Sequence, residues 1–527
     1  MSSQEIITFQ VGTYSNFVGT HYWNAQKNQS TTNQENKEYD VSKLFRESIT
    51  TTSCVPRLIS FDLKSSLKTL REDGSFNDDN QNIDAEDHNV YAQPLFERNE
   101  FMTQVFGDQR NEKVYNLDNK VSTWSDFMTN RLHENSLQLL TQNFDDGKEF
   151  MYFGLGQEEY KKMWYDVDDK IHFWAEECNS LEGFQIFADM HNGFSGISSS
   201  LLENVYEEYT KKCSLAYINW PIHSISKQES VYEDLNAALT IQSYREHCSL
   251  FVLQSLQKDL FCQEPTNVIL PNINYKMELP YHTSAILAAT IDSTTLPWRK
   301  HNRTLTLADM CNLISQNKWK LAGSSFGVTY FPCHETATLF EKLYGVNQFY
   351  GPLLTNLSPS VNICNNFPTS HSVVLQNISE NFVIPNKIES SILQALEINT
   401  NIFNVNPMSV LNFFNQRYYP CERTVSNSTY INKEMDTDTP FPLIVEPPDD
   451  AATNLPVTSL SSIYTSSCIY NLLRDVIKRV QNINLHKHHI IQEFGLDNDL
   501  MKELIEDIIH FAQEYDRQRA FDELSIA

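Results

Sequence analysis

Between Asp166 and Ile218 helical and extended segments alternate, and this alternation limits the folds open to the chain more than any other feature. A helix runs from Asp166 through Cys178, followed by a strand at Gly183–Asp189, a turn over His191–Gly196, a helix at Leu201–Tyr209 and a strand at Leu215–Ile218. Such an order buries its apolar faces by winding into a parallel sheet with helices on both sides. The N-terminus repeats the theme. Ile6, Ile7, Phe9 and Val11 make a short apolar strand, Gly12-Thr13-Tyr14-Ser15-Asn16 turns the chain, and Phe17, Val18, His21 and Tyr22 follow at helical spacing. Another strand is expected at Arg57–Leu63, which places Asp62 at the carboxyl end of the sheet, where open parallel sheets bind ligands.

The remaining text divides unevenly. The polar run Lys27–Asp40 reads as a loop, Glu72–Asn89 as an exposed or disordered acidic insertion, and Trp124–Phe127 as a helix start capped by Ser125. Ala237–Leu260 reads as one long helix. Strands near Tyr281–Ile291 and a helix at Leu307–Ser315 suggest a second, smaller α/β unit. The Pro-rich and acidic text from Thr424 to Thr458 reads as a linker. Two helices close the chain, Ser461–Ile483 and Asp499–Arg519. In the second, Leu500, Leu504, Ile508, Phe511 and Tyr515 share one face opposite Glu503, Glu506 and Asp507, a face expected to dock on the body. The expected units are therefore 1–235, a core helix at 236–262, a second domain at 263–423, a linker at 424–460 and C-terminal helices at 461–527, with polar insertions near 27–50 and 72–120 of the first.

Composition excludes some partners. At 41% hydrophobic and 12% aromatic residues the chain has material for a real core, and at 527 residues it is long for one compact unit. The formal charge of −27 makes the average surface repel phosphate, and no Lys/Arg-dense run offsets it, so direct contact with nucleic acid is not expected. The ten cysteines form no C-x-x-C pair, which points to reduced thiols in an intracellular protein rather than to disulfides or zinc. Glu5, the absence of Arg before Arg46, and the lack of any long apolar run disfavour a targeting peptide or a membrane span.

Several phrases carry a resemblance. Glu5–Gly12 with Asn16–Trp23 resembles the opening of tubulins; Pro56-Arg57 to Asp62-Leu63 resembles their strand ending in Asp-Leu-Glu. Gly183–Tyr209 resembles the segment holding their glycine-rich phosphate loop, and Leu235-Asn236-Ala237 resembles the entry to their core helix. Weaker similarity runs from Pro280 to Ser315. Taken together, Phe17–Asn24, Trp124–Phe127, Gly183-Phe184-Gln185 and Asn192–Gly196 resemble the Misato family rather than tubulins proper. The resemblance implies a tubulin-like α/β fold: a doubly wound, mainly parallel sheet, then a core helix, a smaller second α/β domain and C-terminal helices. It also implies a role in mitochondrial distribution, morphology and inheritance, including partitioning of mitochondrial DNA, from the cytoplasm and the outer face of the mitochondrion. Protein partners on the mitochondrial surface or cytoskeleton follow from the same resemblance, with peripheral attachment to the membrane.

The nucleotide site implied by that fold is eroded. A phosphate loop works because glycines let backbone N–H groups approach oxygens closely at a helix N-terminus. Read back without gaps from Glu207-Glu208-Tyr209, the tubulin run Gly-Gly-Gly-Thr-Gly-Ser-Gly becomes Met190-His191-Asn192-Gly193-Phe194-Ser195-Gly196, so that Phe194 is expected to crowd a phosphate. Asp-Leu-Glu becomes Asp62-Leu63-Lys64, reversing one charge near the magnesium position. In the same register the core-helix residues that hold guanine become Val252 and Leu256, and the catalytic loop after that helix is expected to be deleted. Gly12, Asn16, Asp62, Ser195, Gly196 and Asn236 remain as nucleotide-binding candidates. No cofactor is expected; these six could hold GTP or GDP with magnesium only weakly. The competing reading is that both glycines serve tight turns, Asn236 caps a helix and Asp62 satisfies a loop.

No other constellation competes with this one. Leu485-His486-Lys487-His488-His489 lacks carboxylate or cysteine ligands at convincing spacing, and Asp145-Asp146 and Asp168-Asp169 lie in polar runs without a visible cleft. The expected function is that of a non-catalytic adaptor. The alternatives are a nucleotide-regulated GTPase-like switch and a cytoskeletal filament protein.

Overall fold

The strand Glu5–Val11 (β1) is buried along its whole length, because helical layers cover both faces of the sheet it belongs to. In the computed structural model, residues 4–32, 39–47, 54–68, 70–74, 100–105, 116–142, 144, 149–223, 227–260, 265–301, 305–330, 354–361, 368–377, 382–383, 404–405, 411, 425–431, 434–438, 440–445, 457–483 and 497–526 are described. The following elements lie among them. Helix α1 (Thr13–Thr32) follows β1; β2 (Phe45–Glu47) and β3 (Cys54–Pro56) form a small hairpin-like pair; β4 (Leu58–Asp62), α2 (Glu100–Val105), β5 (Leu137–Leu139) and α3 (Phe153–Glu176) come next. Then β6 (Leu181–Asp189), α4 (Phe194–Glu208), β7 (Cys213–Trp220), α5 (Lys227–His247) and β8 (Leu250–Ser255) alternate. The rest comprises α6 (Pro280–Arg299), α7 (Leu307–Ile314), β9 (Leu321–Tyr330), β10 (Thr355–Asn356), β11 (Pro368–Gln376), β12 (Phe382–Val383), β13 (Asn404–Val405), β14 (Val425–Ile431), β15 (Val457–Ser466), α8 (Ile469–Gln481) and α9 (Asn498–Ile526).

One sheet runs through both halves in the order β14-β11-β15-β9-β8-β7-β6-β1-β4-β5, with β10 beside β9. From β5 to β9 every pairing is parallel; β15 then runs antiparallel to both β9 and β11. Alternation along β1 sorts the layers. Ile7, Phe9 and Val11 join the core beneath α3, α4, α5, α8 and α9, whereas Ile6 faces α1, α6 and α7.

The expected strand–helix alternation over 1–235 is present, with α4 beginning at Phe194 and α3 already at Phe153. Downstream the structure differs. Residues 236–262 are not one helix: α5 ends at His247, and Leu250–Ser255 is the buried strand β8. The strands expected near Tyr281–Ile291 are instead the buried helix α6, in which every residue from Tyr281 to Arg299 is buried. Its Ser- and Thr-rich text lacks a polar face, so no 3.6-residue pattern marks it. The hydroxyls of Thr290 and Thr294 donate back to the carbonyls of Ile286 (2.9 Å) and Thr290 (2.8 Å), which makes such residues tolerable inside a buried helix.

Near the C-terminus, Val425–Ile431 and Val457–Ser466, expected as linker and helix, are strands β14 and β15, and the helix begins only at Ile469. Helix α9 docks on the body as expected through Leu504, Ile508, Phe511 and Tyr515, with Met501 in place of the exposed Leu500. Trp124–Phe127 is a single 3₁₀ turn capped by Thr123 rather than Ser125. The histidine run at 486–489 and most of the acidic insertion lie outside the described residues.

Helices α1 and α6 are clamped by a buried network. Arg299 donates to the Asp292 carboxylate at 2.7 Å; Gln26 reaches the same carboxylate at 2.5 Å, and Gln29 does so at 3.1 Å. Removing one partner strands a buried charge. Asp292→Ala is expected to cost about 3 to 5 kcal/mol, whereas Asp292→Leu combined with Arg299→Met should recover most of that loss. Urea unfolding midpoints of the three proteins measure this; equal loss in the single and double variants would refute the ion-pair account.

Candidate functional site

The strand order β4-β1-β6 reverses the direction of winding at β1, which opens a crevice at the carboxyl ends of these strands. A cavity of about 640 Å³ lies there. Thr13, Tyr14 and Phe17 line it from the start of α1, and Leu63, Ser65, Ser66 and Lys68 from the segment after β4. Asp189, His191, Asn192 and Phe194 form the side after β6. Pro221, His223, Glu229 and Glu233 follow from β7 and α5, and Met151, Ser122, Thr123 and Pro280 complete the wall.

None of the six residues singled out by sequence lines this cavity; they form two supports beneath it. In the first, Asp62 accepts from Thr13 Oγ1 (2.7 Å), Asn16 Nδ2 (2.9 Å), Trp124 Nε1 (2.6 Å) and its neighbour's Leu63 N (2.7 Å). Burial raises its pKa, while these donors pull the other way. Asn16 is equally engaged, donating also to Phe61 O and accepting from Ser60 Oγ at 2.7 Å. In the second, Asn236 accepts from Phe153 N (2.9 Å) and donates to Met151 O (2.8 Å) and His191 O (3.0 Å), so it ties α5 to the loops entering α3 and α4. Ser195 Oγ donates to Asn192 O at 2.6 Å. A Cβ on Gly196 would sit 1.9 Å from Phe153 O, so glycine there permits close packing of α4 on α3.

Asp189, the last residue of β6, is the group that sequence reasoning passed over. Its carboxylate accepts from Tyr14 N (3.1 Å), Ser15 N (2.8 Å) and Ser15 Oγ (2.7 Å), and so caps the N-terminus of α1 from across the sheet. Gly12, at φ +113°, makes room for it: a Cβ there would lie 2.4 Å from Asp189 Oδ2. Burial pushes Asp189 up to about 7, opposed by the Ser15 and Tyr14 hydrogen bonds and reinforced by Asp62. The sequence signal was available, since an acid closes the strand immediately before the loop that should hold phosphate. At α4 the equivalent anion cradle is filled by Asn192, whose Oδ1 accepts from Phe194 N at 3.1 Å and whose carbonyl accepts from Ser195 N at 3.1 Å.

Phe194 forms part of the cavity wall, with most of its ring turned into the core. It is 2% exposed and packs on Phe150 at 5.0 Å between ring centroids, so its bulk is absorbed by the core below α4. Two further expectations fail with the helix at 236–262. Val252 lies in β8 and Leu256 just beyond it, so neither replaces a guanine-holding residue of a core helix. The long buried helix is α6, so the expected loop deletion, which is counted from the end of a helix at 237–260, loses its starting point.

The lining does not fit a magnesium-bound triphosphate. The lining sets Glu229 against Lys68 and pairs Glu233 with His223, the first-turn amides of α1 are already given to Asp189, and Asp62 has four donors and no free lone-pair direction for an ion. His223 Nε2 sits 2.5 Å from Glu233 Oε1. Burial alone would lower the His223 pKa, but the carboxylate outweighs it and raises it. Burial, aided by His223, holds His191 neutral, well below its usual range.

Residues 4–113 match the family model described as the Misato Segment II tubulin-like domain, and residues 116–300 match that of the Tubulin domain, which ends with α6. The mouse and human proteins called Protein misato homolog 1 are each 26% identical to this chain, over 97% of it and 98% of their own length. Drosophila melanogaster Protein misato is 26% identical over 68% of the chain and 70% of its own. Among the described residues, no helix is long and apolar enough to cross a membrane.

Two buried carboxyls, Asp189 at the site and Asp234 beside Arg479, give stability a pH dependence. Asp189 and Asp234 are both raised by burial to about 7, the latter against the opposing pull of Arg479. Their folded values exceed their unfolded ones, so the native state holds extra protons; the stability this contributes is present below the unfolded pKa and is lost as pH rises through 7. Between pH 6.5 and 8 Asp189 alone should remove about 1 kcal/mol, and Asp189→Asn should abolish that share. Chemical denaturation at the two pH values measures it. A wild-type stability that rose over this interval would contradict the assignment.

Proposed function

Because the chain belongs to the Misato family of tubulin-like proteins, we propose that it is a non-catalytic member of the fold, acting through protein partners in mitochondrial distribution, morphology and inheritance. It works peripherally, from the cytoplasm and the outer face of the mitochondrion. The observation that carries the non-catalytic part is the filling of both helix N-termini at the cavity by the chain's own groups, Asp189 on α1 and Asn192 on α4. The saturated Asp62 supports the same reading. With a formal charge of −27, the surface favours basic protein partners over phosphate-bearing ones.

A second reading, a nucleotide-regulated switch, draws on the volume of about 640 Å³ at the carboxyl ends of the strands, which is large enough for a small ligand. Equilibrium titration with labelled GTP and GDP, with and without magnesium, separates the two. No saturable binding is expected at concentrations up to about 100 μM; magnesium-dependent binding at about micromolar affinity or tighter would favour the switch. For the cellular role, depletion is expected to alter mitochondrial shape and transmission of the mitochondrial genome. Unchanged mitochondria after complete depletion would remove the proposal.

A further inference from the structure

We infer that Asp189 is the selectivity determinant of this cavity: its carboxyl group occupies the first-turn donors of α1 and thereby excludes phosphate-bearing ligands. The inference rests on the non-catalytic reading above and names the residue responsible for it.

A helix N-terminus at the carboxyl end of a parallel sheet presents unpaired N–H groups and a positive dipole, the arrangement that draws phosphate oxygens. Helix α1 is twenty residues long and enters from Gly12 at the floor of the crevice. Two of its first-turn donors, Tyr14 N and Ser15 N, are spent on Asp189 at 3.1 and 2.8 Å, and the Ser15 hydroxyl adds a third bond at 2.7 Å. Asp189 is 1% exposed, yet it forms part of the cavity wall, so an oxygen of a bound phosphate seeking those amides would meet a carboxylate already in place. An amide already given to Asp189 is not available to a phosphate oxygen. The neighbouring residues are shaped around the carboxylate. Gly12 lacks the Cβ that would strike it at 2.4 Å, and Asn219 Nδ2 donates to Ser15 Oγ at 3.1 Å, holding that hydroxyl in position to give its own proton to Asp189. Asp62, whose charge acts on Asp189, has its acceptor sites taken by Thr13, Asn16, Leu63 and Trp124.

The test is isothermal titration of the full-length chain with inorganic pyrophosphate and with GDP, using wild type, Asp189→Ala and Asp189→Ser. The serine variant keeps a small acceptor for the α1 amides and guards against a folding defect in the alanine variant; circular dichroism reports folding in each. Wild type is expected to bind neither probe, and at least one folded variant to bind pyrophosphate at least about tenfold more tightly than wild type. If folded variants gain nothing while wild type also binds nothing, Asp189 is not the determinant, although the non-catalytic reading stands. If wild type binds GDP as tightly as the variants do, both fall. Loss of the fold in both variants would also overturn the inference, because the carboxylate would then be a structural strut rather than a filter on ligands.

Discussion

A carboxylate at the end of one strand holds the helix that begins at the end of its neighbour. Asp189 closes β6 and caps α1 through Tyr14 N, Ser15 N and Ser15 Oγ, and Gly12, at positive φ, leaves room for its carboxyl group. Burial on both faces leaves β1 no solvent to satisfy the turn that follows it, and the chain supplies the missing acceptor itself. That one substitution of protein for ligand fixes much of the chemistry at the crevice, because the positive end of α1 is spent before any small molecule arrives.

The same economy recurs around the cavity. Asp62 collects four donors from α1, from its own loop and from the Trp124 turn, and thus binds together three segments distant in sequence. Asn236 does the corresponding work on the opposite side for the entries to α3 and α4. Residue types that elsewhere touch a nucleotide are here employed in holding loops to one another. The loops around the crevice are braced to one another by these bonds.

Much of the first half was legible in the sequence because its strands are short apolar runs punctuated by small residues, and β1, β4, β6 and β7 lie where that punctuation puts them. The reading failed where pattern and burial part company. Helix α6 is buried on every side, so its Ser, Thr and Ala text shows no amphipathic period, while β8 continues directly from α5 after a break of two residues and extends the apolar run into an apparent single helix. That error carried Val252, Leu256 and the supposed loop deletion with it. Gly12, Asn16 and Asp62 were correctly placed together at the strand ends, but whether a polar side chain faces a cavity or a neighbouring loop depends on tertiary contacts. Asn236 and Asp189 show this from opposite sides, the first turning inward and the second standing at the wall.

The placement of the last elements has a consequence for how the chain is made. Strand β15 is the bridge between β9 and β11, and α9 closes the layer beneath β8 and β9 by packing Tyr515 on Trp319 and bonding its hydroxyl to Leu321. Arg245 and Glu514, 269 residues apart, meet at 2.8 Å across that closure. During synthesis the apolar underside of the N-terminal strands must therefore wait for almost the entire polypeptide to emerge from the ribosome. A chain shortened by its last helix would leave the apolar layer around Trp319 open to solvent.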